Sequence, residues 1–103
     1  MDFYLNMEGK RSMQKIRTTV KIAGKEYNIA GYDSEEHVQR VAAYVDRKMS
    51  ELSSATHLPP AQLAVLAGVN ATDDMIKSRD EVRRLRTEIE QLRAELEKRP
   101  HEE

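Results

Sequence analysis

A seven-residue apolar repeat in the last third of the chain constrains the fold more than any other feature. Position a of the repeat is occupied by Met75, Val82, Ile89 and Leu96. Position d is occupied by Ala71, Ser78, Leu85 and Leu92. β-Branched residues at a, combined with leucine at d, favour two strands in a coiled coil. The chain therefore predicts a helical pair before it indicates any chemistry.

The charged residues that flank this stripe predict the orientation of the pair. Position g is acidic in every heptad: Asp74, Glu81, Glu88 and Glu95. Position e is basic from Arg79 on: Arg79, Arg86 and Arg93. In a parallel dimer, Glu81 of one helix would face Arg86 of its mate, and Glu88 would face Arg93. An antiparallel pair would instead bring like charges together. The sequence thus predicts a parallel interface.

The seam defined by these heptads is short. Its well-filled layers run from Val82 to Leu96, which is about two and a half heptads and fewer than the three to four typical of an independent coiled coil. We therefore expect residues 60–76 to contribute a second interface in a globular head. The coiled coil would extend that interface over residues 77–99.

Composition excludes several classes of function. The 17 basic and 18 acidic residues nearly cancel, whereas a nucleic-acid-binding domain needs a clear basic excess. There is no cysteine, and no apolar run approaches the ~20 residues that cross a bilayer. The three histidines have no metal-ligand spacing. We predict neither an enzyme nor a cofactor or metal protein, and we expect no nucleic acid or membrane partner.

The N-terminal half predicts a small α+β head over residues 13–76. Residues 1–12 show no period and are interpreted as an unstructured leader or tag, with Met13 as a candidate start. Alternating apolar residues then predict a hairpin over 16–32. A two-residue loop at Gly24-Lys25 would place Ile22 opposite Tyr27 and Val20 opposite Ile29.

Two helices should follow the hairpin. Asp33 or Ser34 can cap a helix over residues 34–53, whose apolar stripe would cover the hairpin. Pro60 suits the first turn of a second helix, which has no further proline until Pro100. Residues 100–103 form a tail. The predicted fold class is α+β: an N-terminal hairpin packed on a helix, followed by a long helix that ends in a parallel dimeric coiled coil.

Three segments in this order resemble the ZapA family of bacterial cell-division proteins. They are Thr19–Tyr27 (TVKIAGKEY), Val41–Met49 (VAAYVDRKM) and Leu63–Asn70 (LAVLAGVN). The resemblance covers residues 16–98, and Gly68 departs from the alanine that is more usual there. It implies a cytoplasmic, non-enzymatic protein of the midcell division site. Such a protein would bind FtsZ and align or cross-link its filaments as a dimer or a tetramer.

The surface that would contact FtsZ is predicted from charge alone. Exposed cations outside the apolar stripes, near the hairpin turn, the first helix and the connector, would suit acidic segments of FtsZ: Lys25, Arg47, Lys48 and His57. Two other functions remain open. One is a generic coiled-coil adaptor for a different protein, and the other is a dimeric DNA-binding regulator suggested by the basic cluster at 77–86, which Asp80 and Glu81 interrupt.

Overall fold

A computed structural model describes residues 2–6 and 14–99 of the chain. The elements are β1 (Asp2–Tyr4), β2 (Ile16–Ile22), β3 (Lys25–Gly31), α1 (Glu35–Ala55) and α2 (Pro60–Lys98). The strands form one sheet in the order β1-β3-β2, and the predicted α+β class is confirmed. The chain divides into two compact units, Met1–Val69 and Asn70–Glu103. None of the helices in the described ranges is long and apolar enough to cross a membrane.

The hairpin forms as predicted, but its predicted pairing is wrong. The two-residue loop is Ala23-Gly24, with φ of 52° and 79°, so Val20 lies opposite Tyr27 rather than Ile29. Positive φ at both central positions is the type I′ geometry, whose twist matches that of the flanking strands. The shift is two residues, so the same side chains share a face and the alternating pattern could not distinguish the two pairings.

A hydrogen bond from α1 fixes this turn. The left-handed conformation costs a non-glycine residue about 1–2 kcal/mol, and Ala23 adopts it. The Ala23 N–H donates to Asp46 Oδ1 at 2.8 Å, which ties the turn to the middle of α1. Gln39 Nε2 also donates to the Thr19 carbonyl at 3.0 Å. These two bonds hold α1 along the hairpin.

The core of the first unit lies between α1 and one face of the sheet. Its buried centre is Val20, Val38 and Ala42, and the half-buried side chains packed against it are Leu5, Ile22, Tyr27 and Ile29. Thr18 is on the same face and is 4% exposed. Within residues 2–6 and 14–99, its hydroxyl has no hydrogen-bond partner.

Both helices begin at the residues that the sequence marked. Ser34 is the N-cap of α1, and its side chain accepts from the His37 N–H at 3.2 Å. This helix extends to Ala55, two residues past the predicted end. In α2, the Leu63 N–H donates to the Pro59 carbonyl at 2.9 Å. With 39 residues, α2 is about 58 Å long at 1.5 Å per residue.

The interpretation of residues 1–12 as an unstructured leader needs correction, because its first part is a strand. β1 pairs in parallel with β3 through Asp2–Asn28, Phe3–Ile29 and Tyr4–Ala30, and the Leu5 N–H donates to the Ala30 carbonyl at 2.8 Å. Three residues are too few to show a period of two in a sequence. Residues 7–12 of the predicted leader lie outside the described residues.

Candidate functional site: an apolar seam and a cationic head surface

The predicted seam residues form an exposed apolar stripe along α2 in the second unit. Their exposed fractions range from 42% for Leu85 to 60% for Leu96; the others are Met75, Val82, Ile89 and Leu92. A continuous apolar surface of this kind marks an interaction site on a protein that is otherwise polar. The arrangement suits burial against a second helix, and the pairing itself remains a prediction.

Two of the acidic residues beside this stripe, Glu81 and Glu88, already have a partner within their own helix. Arg84 Nε donates to Glu81 Oε2 at 3.0 Å, and Arg84 Nη1 donates to Glu88 Oε2 at 3.1 Å. The hydrogen bond and charge of Arg84 lower the pKa of the Glu81 carboxyl. All three side chains are more than half exposed, and such surface ion pairs contribute little to stability. The predicted Glu81–Arg86 and Glu88–Arg93 contacts between chains would therefore compete with these bonds at small cost.

Two arginines at position e could form these contacts between chains. Arg86 and Arg93 are exposed, and within the described part of the chain neither forms a salt bridge. They are thus available to acidic residues of a second helix. The pattern remains the one predicted for a parallel pair.

Three of the five basic residues in the cluster that suggested DNA binding have acidic partners within their own helix. Lys77 Nζ lies 2.8 Å from Asp73 Oδ2, and this hydrogen bond and charge raise the pKa of Lys77. Arg83 lies 3.9 Å from Asp80, and Arg84 pairs with two glutamates. The acidic residues among these cations reduce the excess of positive charge that a DNA-binding face requires.

The four basic residues predicted to bind a partner lie in the first unit. Arg47 and Lys48 are both near the Tyr44 ring, at 5.1 and 5.6 Å from its centroid. Lys25 is exposed and begins β3, while His57 is exposed in the connector beyond α1. The structure groups Arg47 with Lys48 around an aromatic ring.

Sequence reasoning missed an apolar groove in the first unit and the part played by Tyr44. The groove has a volume of about 570 Å³ and is lined mainly by Phe3, Ile22, Tyr27, Met49 and Leu63. Its apolar lining resembles ordinary core positions in a sequence, so only the fold shows that it is open. Among the described residues, no cluster of three His, Asp or Glu side chains could hold a metal ion.

Comparison with known proteins places this architecture in a family. A family model described as "Cell division protein ZapA" matches residues 18–100. The protein named "Cell division protein ZapA" from Halalkalibacterium halodurans is 48% identical over 69 residues, which are 66% of this chain and 76% of the relative. A protein of the same name from a Geobacillus species is 43% identical over 68 residues, covering 65% of this chain and 78% of the relative.

A solved structure agrees with these relatives. It is described as a ZapA mutant dimer from Geobacillus stearothermophilus, with a TM-score of 0.61 and 38% identity, and it covers 76% of this chain and 92% of its own. That relative supports self-association for a chain with an exposed apolar stripe. The protein belongs to the ZapA family of cell division proteins.

Proposed function

We propose that this protein binds FtsZ and aligns or cross-links FtsZ filaments in the division ring at midcell. Membership of the ZapA family supports the proposal. The observation that carries it is the exposed stripe from Val82 to Leu96, because a self-associating chain presents two copies of each binding surface. On this proposal the protein acts by binding in the cytoplasm and catalyses no reaction.

The mechanism depends on linking weak contacts. A parallel dimer carries two heads, and two dimers joined through their coiled coils would carry four. When one head binds a filament, the others search at a high effective concentration, so overall affinity exceeds that of a single contact. Heads that engage different filaments hold those filaments side by side.

The FtsZ-contacting surface on each head is proposed to be the basic residues Lys25, Arg47, Lys48 and His57. Arg47 is 3.8 Å from Glu51 and 63% exposed, so this weak pair leaves its guanidinium available to an acidic partner. Arg47 and Lys48 also lie close together at the Tyr44 ring. Complementary charge of this kind mainly increases the association rate and the specificity of a complex.

The test is co-sedimentation of FtsZ filaments with a variant in which Lys25, Arg47 and Lys48 are changed to Glu. We expect loss of co-pelleting and of filament bundling, with the dimer retained. The matched control changes Lys21, Arg40 and Lys98 to Glu, which alters net charge equally outside the proposed surface. Undiminished pelleting of the first variant would refute this surface. Equal loss of pelleting in both variants would show that net charge, and not this surface, is responsible.

The same assay, together with a DNA-binding measurement, separates the adaptor and DNA-binding alternatives from the proposal. A generic adaptor would remain a dimer and would leave FtsZ filaments unbundled even as the unaltered protein. A DNA-binding regulator would bind duplex DNA with an affinity that falls steeply as salt is raised. Bundling by the unaltered protein, without such DNA binding, is the result we expect.

A further inference from the structure

The outer edge of β3 carries a strand that lies outside the region matched by the family. The family match begins at residue 18, so it includes β3 and excludes β1. Without β1, the backbone N–H and C=O groups along this edge of β3 would be unpaired. An edge of this kind accepts an added strand through main-chain hydrogen bonds.

Four consecutive side chains of the N-terminal segment contact residues of the first unit. Asp2 Oδ2 lies 3.2 Å from Arg17 Nη1, and the Phe3 ring packs edge-on against Tyr27 with centroids 5.3 Å apart. The Tyr4 ring receives the ammonium of Lys15 at 5.2 Å. The segment thus presents an acid, two aromatic rings and then Leu5.

Leu5 sits in a notch that a glycine provides. The Leu5 side chain packs against the core of the first unit. A Cβ atom at Gly31 would lie 3.0 Å from the Leu5 carbonyl oxygen and 3.4 Å from Leu5 Cβ. A side chain at position 31 would therefore crowd the fourth residue of any strand added in this register.

We propose that the outer edge of β3 is a peptide-binding site. It binds an extended segment of a partner protein whose side chains follow the order acid, aromatic, aromatic, aliphatic. Residues 2–5 occupy the edge as an internal ligand. The internal strand is suited to displacement. It has only three paired residues, its pairing is parallel and so slightly weaker per residue, and Phe3 and Tyr4 remain 47% and 60% exposed.

The test measures binding of a labelled peptide containing Asp-Phe-Tyr-Leu to the full chain. In the unaltered protein the tethered strand competes at high effective concentration, so we expect weak binding. Phe3→Ser with Leu5→Pro weakens that strand and removes its N–H donor, and should increase peptide affinity by about tenfold or more. Equal affinity for the two proteins would overturn the proposal.

Two controls make the result specific to this edge. A peptide with Lys for Asp and Ser for Phe should bind the double variant at least about tenfold more weakly, since it loses contacts with Arg17 and Tyr27. This control needs no further change to the protein. Adding Gly31→Val to the double variant should abolish binding, and retained binding by a folded Gly31→Val protein would contradict the proposed register.

A disulfide trap distinguishes an internal strand from one supplied by a second copy. The chain has no cysteine, and Asp2 lies opposite Asn28, so Asp2→Cys with Asn28→Cys creates a single pair. We expect oxidation to link them within one chain, and excess Asp-Phe-Tyr-Leu peptide to slow that reaction. A covalent dimer instead would identify the N-terminus of a second copy as the occupant and overturn the proposal of a partner segment.

Discussion

Replacing Ile89 by Glu tests the seam where its apolar layers are best filled. Ile89 is 47% exposed in the single chain. Full burial of an isoleucine side chain contributes about 1.5–3 kcal/mol, so covering the exposed half contributes about 1 kcal/mol per chain and about 2 kcal/mol per dimer. That loss alone weakens the dimer about 30-fold. Two glutamates facing each other at position a add to it, because neither charge has a partner there.

The assay is sedimentation equilibrium over a dilution series, which gives the dimer dissociation constant directly. Ala94→Glu is the matched control. It adds the same charge five residues further along the helix, at position f, away from the predicted seam. We expect the control to assemble like the unaltered protein. An unchanged dissociation constant for Ile89→Glu would refute the heptad assignment, and equal weakening by both variants would show that charge, and not position, decides assembly.

Two further predictions concern the head. Thr18→Val should raise the free energy of unfolding by about 1 kcal/mol, because it removes a buried hydroxyl that lacks a partner in the described structure. The control, Thr19→Val, loses an exposed hydrogen bond to a neighbouring side chain and should give no gain in stability. Urea denaturation at fixed protein concentration measures both. Asp46→Ala should lower the free energy of unfolding by about 1 kcal/mol through loss of the acceptor for the Ala23 N–H. Adding Ala23→Gly to that variant should restore part of the lost stability, because glycine adopts positive φ without a steric cost. A destabilised Thr18→Val protein, or an Asp46→Ala protein as stable as the original, would contradict the roles assigned here.

The sequence predicted the long elements well because their signals repeat many times. α2 begins at Pro60 and continues to Lys98, as the proline and the heptads indicated. The hairpin face was also predicted correctly, since alternation fixes which side chains point together. Alternation cannot detect a shift of two residues, and the pairing was decided instead by the left-handed Ala23, a conformation that a sequence rarely reveals.

Of the two candidate surfaces, one is predictable from sequence and the other is not. The seam is predicted from sequence because position a and d residues recur every heptad, and these residues are exposed in the single chain. The β3 edge could not be found from sequence. It depends on three contacts between residues that are far apart in sequence: the Asp2–Arg17 pair, the Phe3–Tyr27 ring contact and the approach of Leu5 to Gly31.

The bond between Ala23 and Asp46 also bears on the order in which the head folds. The two residues are separated by 23 positions, so the turn of the hairpin is completed by a helix that lies later in the chain. A hairpin that depends on such a contact is a poor starting point for folding, since the loop must close before the turn is stabilised. We infer that hairpin and helix condense together in the transition state, so Asp46→Ala would slow refolding more than it speeds unfolding. The two-residue turn at Ala23-Gly24 would then be a product of tertiary folding, although it joins two neighbouring strands.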